Sequence, residues 1–400
     1  MISPDAALGI ILEHVRPSKP VRVPLAEALG CFLAEDVRAD RDLPPADRSS
    51  RDGYALRHED LGCPLIVIAE VAAGSPARPR VAPGTCVRIL TGANVPPGAD
   101  TVAMQEDTEE RNGMATVRSS EARGANILRR GEDAAKGTIL LARGTRMGAA
   151  EVGVCAAVGK AFVKVHARPS VTVLCTGSEL RGISDPVRPH EIRNSNGPAL
   201  CAALQQWGFP GARYIQVADR RSALVAALRR AVKRHDVVLF TGGVSVGSYD
   251  YVREAVEEAG AKVRFHGVSM KPGKPTLYAT MPSGRHVFGL PGNPLSSLTA
   301  FHEFALPALR RLAGCRAEAC CPAWPLPLAE AVASESRKLR CLLARLVADP
   351  GGLSAAPVHS ASSADLVAAA RSDGVVLLPP DRAHYPAGEV VMFRPWRPLA

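Results

Sequence analysis

From position 168 onward the apolar residues fall into two alternating textures. Short unbroken runs occur at Val171–Cys175, Asp236–Phe240 and His286–Phe288. Each is bounded by polar or turn residues, as expected of strands buried on both faces. Between and after them, Gly197–Trp207, Arg221–Arg234, Tyr249–Ala259 and Leu295–Leu312 carry helical spacing, and Gly208 and Gly260 provide two of the stops. Further strands are predicted at Arg213–Val217, Lys262–His266 and Thr276–Ala279. This alternation predicts a multi-domain α/β protein. Its centre, residues 167–313, is a doubly wound, mostly parallel sheet with right-handed crossovers and its own core. Ligands of such sheets sit beyond the carboxyl ends of the strands.

The flanking segments have other periods. Ser3-Pro4-Asp5 is an N-cap followed by Pro in the first turn, and predicts an amphipathic helix to about Val15. Leu25–Leu33 reads as a second short helix, and Gly148–Ala157 as a third. Residues 61–141 instead alternate short apolar runs with Gly and Pro turns, the pattern of a β domain inserted into a helical N-terminal region spanning 1–166. Cys315–Pro327 reads as a linker, and runs at Cys341–Val347, Val375–Pro379 and Glu389–Phe393 predict a small C-terminal β domain over 320–400.

Composition narrows the partners. A length of 400 residues exceeds one ordinary core. The net charge of +10 invites nucleic acid, but only nine residues are lysine, the arginines are scattered and aromatics are 4%. Nucleic-acid surfaces cluster their bases and add stacking rings, so a solvated surface and an anionic small ligand fit better. The ten cysteines contain no CxxC; Cys155, Cys175 and Cys201 read as packed thiols, and Cys315, Cys320 and Cys321 lack a second pair for a structural zinc site. Met1-Ile2-Ser3-Pro4-Asp5 does not read as a signal peptide, and no apolar run reaches membrane-spanning length. A reduced, cytoplasmic protein is expected, with neither nucleic acid nor membrane as partner.

The polar motifs fall at the predicted strand ends. Thr241-Gly242-Gly243-Val244-Ser245-Val246-Gly247-Ser248-Tyr249-Asp250 follows one strand, and Gly289-Leu290-Pro291-Gly292-Asn293-Pro294 another; Lys271-Pro272-Gly273-Lys274-Pro275 lies between. Thr176-Gly177-Ser178-Glu179 ends the first strand, Asn194-Ser195-Asn196-Gly197 opens the first helix of this domain, and Asp219 follows the second strand. Glycines allow close backbone approach, and two lysines on a rigid turn repel unless an anion lies between them. The set suits a phosphorylated anion. Asp250 and Glu179 suit Mg2+ held jointly with phosphate, or the amino groups of a pterin or base. Capping a helix explains Asp219 equally well, and Asp250 less completely.

This order of motifs resembles the molybdopterin molybdenumtransferases, the family of MoeA and the gephyrin E domain. The resemblance covers essentially the whole chain: Ser50-Arg51-Asp52-Gly53-Tyr54-Ala55; Arg88-Ile89-Leu90-Thr91-Gly92-Ala93 with Pro97-Gly98-Ala99-Asp100 and Glu106; Gly131-Glu132-Asp133; Arg340 and Arg345; and Ser363-Ala364-Asp365-Leu366. By their own chemistry Asp52-Gly53 and Thr91-Gly92 are ordinary turns; the resemblance makes Asp52, Thr91 and Asp133 site residues. Arg345 lies in an apolar run, where a buried guanidinium needs an anionic partner. Ser363 is either a phosphate donor or a helix N-cap. Arg51 stands where the family usually has an apolar residue, and Arg193 where it usually has an acidic one.

The resemblance implies insertion of molybdenum from molybdate into adenylylated molybdopterin, assisted by Mg2+, with release of AMP. It assigns catalysis to Asp52, Thr91, Glu179, Asp250, Lys271, Lys274 and Arg345, with Mg2+ on Asp250 and Glu179. Cofactor binding falls to Asp133, Ser195, Asn196, Asp219, Thr241, Gly242, Gly243, Ser245, Gly247, Pro272, Gly273, Pro291, Gly292, Asn293, Pro294 and Ser363. It further implies a homodimer that exchanges its substrate and product with molybdopterin adenylyltransferase and molybdoenzyme maturation proteins. A scaffold of the same fold, or an adenylyltransferase-like activity, is the alternative. On the catalytic reading, Asp250→Ala is expected to fold normally but to lose most adenylate cleavage and its Mg2+ dependence, measured as AMP release. Near-normal turnover would remove Asp250 from the site.

Overall fold

The computed structural model describes residues 1–244, 251–334 and 336–397, so Ser245, Gly247, Asp250 and the expected helix start at Tyr249 lie outside the described residues. The chain divides into two compact units. One joins Met1–Ala34, Gly144–Gly148 and Val163–Ala400; the other joins Glu35–Arg143 and Ala149–Phe162.

The first unit is built around a six-stranded sheet. Its order is Arg213–Val217, Val171–Thr176, Val237–Thr241, His286–Leu290, Leu277–Thr280, Lys262–His266. The first four strands are parallel. Every residue of Val237–Thr241 and His286–Leu290 is buried, which accounts for their unbroken apolar runs. The last two pairings are antiparallel, so the sheet is mixed, with three of its five pairings parallel. Only residues 281–285 separate Leu277–Thr280 from His286–Leu290, too few for a crossover, and the two strands form a hairpin.

One face of this sheet does not close on itself. Its core continues into Ala7 and Ile11 of the helix Pro4–His14, into Val15 just after it, and into Cys341, Leu343 and Val375 of the C-terminal sheet. Residues 167–313 therefore share the core on that side with the first helix and the C-terminal sheet. The helix Pro4–His14 starts as its sequence dictates, with Ser3 Oγ accepting from Ala6 N at 3.1 Å. The expected second helix, Leu25–Leu33, shortens to one 3-10 turn, Leu25–Glu27. Phe32 and Leu33 instead make isolated β-bridges with Arg146 and Val165.

The C-terminal sheet runs Met270–Lys271, Leu339–Asp349, Gly374–Leu378, Val390–Pro395, Trp324–Pro327, with Gly352–Pro357 also on Leu339–Asp349. Its first member belongs to the central stretch, so the two sheets share a segment. A buried ion pair also joins these parts: Arg394 Nη1 lies 3.2 Å from Glu303 Oε2, with both side chains largely excluded from solvent.

The second unit holds a six-stranded sheet in the order Thr101–Met104, Gly53–Leu56, Thr85–Ile89, Pro64–Val71, Met114–Val117, Thr108–Arg111. This β module begins before residue 61, because Gly53–Leu56 is one of its buried inner strands. The Asp-Gly turn signal at 52–53 hides that strand in the sequence. A Cβ on Gly53 would lie 1.8 Å from Ala103 O, so glycine is needed for the close strand approach.

Burial pushes the pKa of two core histidines, His302 and His286, down to about 4, and each adds acid sensitivity. His286 is 4% exposed, its Nδ1 lies 3.0 Å from Tyr278 Oη, and burial pushes its pKa down to about 4. The unfolded chain takes up this proton near pH 6.5, the folded chain only near 4. The corresponding stability is complete above pH 6.5 and is lost as pH falls towards 4, by about 3 kcal/mol. Urea titrations across this range should show His286→Phe losing that part of the slope; an unchanged slope would exclude His286 as its source.

Candidate active site

The strand-end loops hold one another through short polar side chains. Asn196 Nδ2 donates to Thr241 Oγ1 and to Gly292 O, each at 2.7 Å, and Thr241 Oγ1 donates to Pro291 O at 3.2 Å. One asparagine at the start of the helix Asn196–Gln206 thus ties the Gly242-Gly243 loop to the Pro291–Pro294 loop. Gly242 has φ +90° and Gly243 φ +64°, and a Cβ on Gly242 would stand 2.0 Å from Thr176 O. Both the left-handed backbone and the close approach require glycine there.

Beyond these strand ends opens a cleft of about 790 Å3. Thr176, Glu179, Asp219, Gly242, Gly243, Pro291, Gly292, Asn293, Ser363 and the whole Lys271–Lys274 turn line it, so most of the expected central-domain residues converge. Ser195, Asn196 and Pro294 line an adjoining recess with Gly292. Asp219 is not the helix cap: the N-cap of Arg221–Ala231 is Arg220, with no side-chain bond, while Asp219 Oδ1 accepts from Thr176 Oγ1 at 2.9 Å. Ser363 is not a cap either. Asp365 caps Leu366–Ala370, and Ser363 Oγ accepts from Asn293 Nδ2 at 2.6 Å.

The C-terminal part supplies two cations that the sequence reading did not assign to the site. Lys338 and Arg340 line the cleft with Lys271 and Lys274. Arg345 does not. It is exposed on Leu339–Asp349, opposite Ala356, because the buried run ends at Ala344. The sequence signal available for Arg340 was its place beside Arg345 in the family motif; alternation could not tell which arginine faces inward once the strand leaves the core. Pairing decides it: Lys271 is in direct parallel register with Arg340. Like charges at paired strand positions repel. Among the described residues, the cleft sets four cations, Lys271, Lys274, Lys338 and Arg340, against two carboxylates, Glu179 and Asp219. An anionic ligand relieves that imbalance.

Asp52, Thr91 and Asp133 belong to the other unit. There Asp52 Oδ1 accepts from Thr91 N at 2.7 Å and from Thr91 Oγ1 at 2.8 Å, and these bonds hold the carboxyl below its usual range. Asp133 is exposed, and its backbone N donates to Leu43 O.

Fold and cleft define a multi-domain α/β protein with a cation-rich cleft at the strand ends of its central sheet. Three family models match in sequence order: the MoeA N-terminal region (domain I and II) over residues 2–159, a probable molybdopterin binding domain over 172–311, and the MoeA C-terminal region (domain IV) over 325–396. A molybdopterin molybdenumtransferase of Staphylococcus epidermidis is 34% identical over 97% of this chain and 93% of its own length. One of Staphylococcus aureus is 34% identical over 96% and 93%. The molybdopterin biosynthesis MoeA protein of Pyrococcus horikoshii superposes with a TM-score of 0.83 at 29% identity, covering 99% of this chain and all of that one. The chain belongs to the MoeA family of molybdopterin molybdenumtransferases, and is a transferase of molybdenum cofactor biosynthesis.

Two glycines separate crowding from backbone strain. Gly84, φ +74°, would meet nothing within 4 Å of a new Cβ, whereas Gly242 would meet Thr176 O. Gly84→Ala should cost about 1–2 kcal/mol from the left-handed backbone alone. Gly242→Ala should cost clearly more in thermal denaturation and should also weaken anion binding. Equal losses would mean that the strand-end loop yields freely.

Proposed function

We propose that the cleft binds adenylylated molybdopterin and molybdate, that the dithiolene sulfurs displace molybdate oxygens, which leave as water with the thiol protons, and that water cleaves the phosphoanhydride, releasing AMP. The observation that carries this reading is the register of Lys271 with Arg340, two cations paired across a strand junction and facing one cleft. Both substrates are anions, and their mutual repulsion is offset by charges fixed before they arrive. Lys271 and Lys274 hold phosphate or oxyanion from the central side, Lys338 and Arg340 from the C-terminal side. Thr241, Gly242, Gly243 and Pro291–Pro294 shape the pterin-phosphate end, where the Asn196 bonds keep the loops from relaxing. Asn293 and Ser363 close the cleft's edge through their hydrogen bond.

The donor set fits Mg2+. Glu179 and Asp219 both line the cleft, and Mg2+ is ordinarily held by one or two carboxylates with substrate phosphates completing its shell. Asp219 Oδ1 is engaged by Thr176, which orients its second oxygen for that role. The cation neutralises phosphate charge when bound. Asp250, at the end of the Gly242-Gly243 loop motif, is the third candidate. Homodimer formation, and exchange with molybdopterin adenylyltransferase and molybdoenzyme maturation proteins, belong to the same reading. An adenylyltransferase-like activity of the central fold alone fits less well, because the C-terminal strand furnishes Arg340.

Lys271→Ala, Lys274→Ala and Arg340→Ala should each weaken molybdate or adenylate binding by roughly 1–3 kcal/mol, the loss of one charge-assisted hydrogen bond. Arg345→Ala should bind almost normally. Calorimetric titration of the four variants tests this; unchanged affinity in the first three would leave those cations merely solvated.

A further inference from the structure

A second concavity lies on the flank of the central sheet, on residues the transferase reading does not use. The edge strand Arg213–Val217 is in parallel register with Val171–Thr176, so Arg213, Ile215 and Val217 share a face with Thr172, Leu174 and Thr176. The helix Arg221–Ala231 packs on that face. Its large residues, Leu224, Val225 and Leu228, are buried in the adjoining core, while alanines at 223, 226 and 227 border the edge strand's flank. Alanine side chains are too short to fill that space. The result is a groove of about 540 Å3, floored by Leu174, Ile215 and Val217. Ile215 is left 55% exposed, unusual for a large aliphatic side chain on the inner face of a helix-covered sheet.

The groove has a polar end of a single sign. Arg230, Lys233 and Arg234 line it where the helix runs out, and among the described residues no carboxylate does. His235 lines the same end, and its buried Nδ1 has no hydrogen-bond partner among the described groups. An apolar concavity of this size with a few convergent polar groups is the general form of a small-molecule site. We propose that this groove binds a small amphipathic anion: an acyl or aromatic body against Leu174, Ile215 and the alanines, with a carboxylate, sulfonate or phosphate against Arg230, Lys233 and Arg234. The occupant is distinct from the multiply charged substrates of the cleft, whose site is built from glycine-rich strand-end loops and four cations. The two sites share no lining residue among those described, though they adjoin at the turn where Ala218 lines the groove and Asp219 the cleft.

The test uses the full chain and two probes, anilinonaphthalene sulfonate read by fluorescence and decanoate as competitor. Saturable binding at one site per chain is expected, displaced by decanoate and not by neutral decanol or by AMP. Ala226→Trp, at an exposed position of the groove wall, should weaken the probe by roughly tenfold or more through occlusion. Arg230→Glu with Arg234→Glu should weaken it similarly through charge, so the proposal does not rest on one variant's folding; circular dichroism and melting curves check both. Lys271→Ala with Lys274→Ala should bind the probe normally while losing cleft anions, which separates this site from the transferase reading. Displacement by AMP, or unchanged affinity in both groove variants, overturns the proposal. Absence of saturable binding overturns it too, and leaves the groove to a macromolecular partner.

Discussion

The cleft depends on one short parallel pairing, Met270 with Leu339 and Lys271 with Arg340. It places a strand of the C-terminal sheet against a turn of the central stretch, so two cations far apart in sequence become neighbours. The opposite side of the same turn is held as well: Ser269 N donates to Ile2 O at 2.8 Å, and Ile2 bridges Val268. The lysine turn is therefore fixed from two directions before any anion binds. Fixed charge costs folding energy through repulsion, and the buried core shared among the first helix, the central sheet and the C-terminal sheet offsets that cost.

Preorganisation extends to the glycine loops. Hydrogen bonds from Asn196 and Thr241 satisfy the carbonyls of Pro291 and Gly292, which would otherwise be free to turn into the cleft. What lines the cleft is glycine-rich backbone and cations that outnumber the carboxylates. Such a surface gains most when the charge it meets is dense and the water around it is limited. The ion pair of Glu303 with Arg394 serves the same end at a distance. Removing either partner would leave a buried charge, so the pair resists separation of the central and C-terminal parts.

The other unit carries its own polar fixture. Asp52 spends one carboxylate oxygen on both the backbone and the hydroxyl of Thr91, which closes the loop after the strand Thr85–Ile89. That arrangement satisfies a turn-stabilising role within the module. Asp52 itself is exposed, and the Thr91 bonds keep its carboxyl ionised.

Local sequence determined a good deal here. The buried runs announced Val171–Thr176, Val237–Thr241 and His286–Leu290, because strands covered on both faces need apolar residues at every position. Gly242, Gly243 and Pro291–Asn293 announced the strand-end loops, because backbone with positive φ or close approach restricts residue type locally. Pairing between distant segments was decided only by the tertiary structure. Nothing local distinguishes Arg340 from Arg345 on an arginine-bearing strand; their roles part because one stands in register with Lys271 and the other lies past the end of the core. Asp219 and Ser363 likewise looked like helix caps until Thr176 and Asn293, far away in the chain, proved to be their partners. Residue type sets what a side chain can do, and long-range register sets which side chains meet.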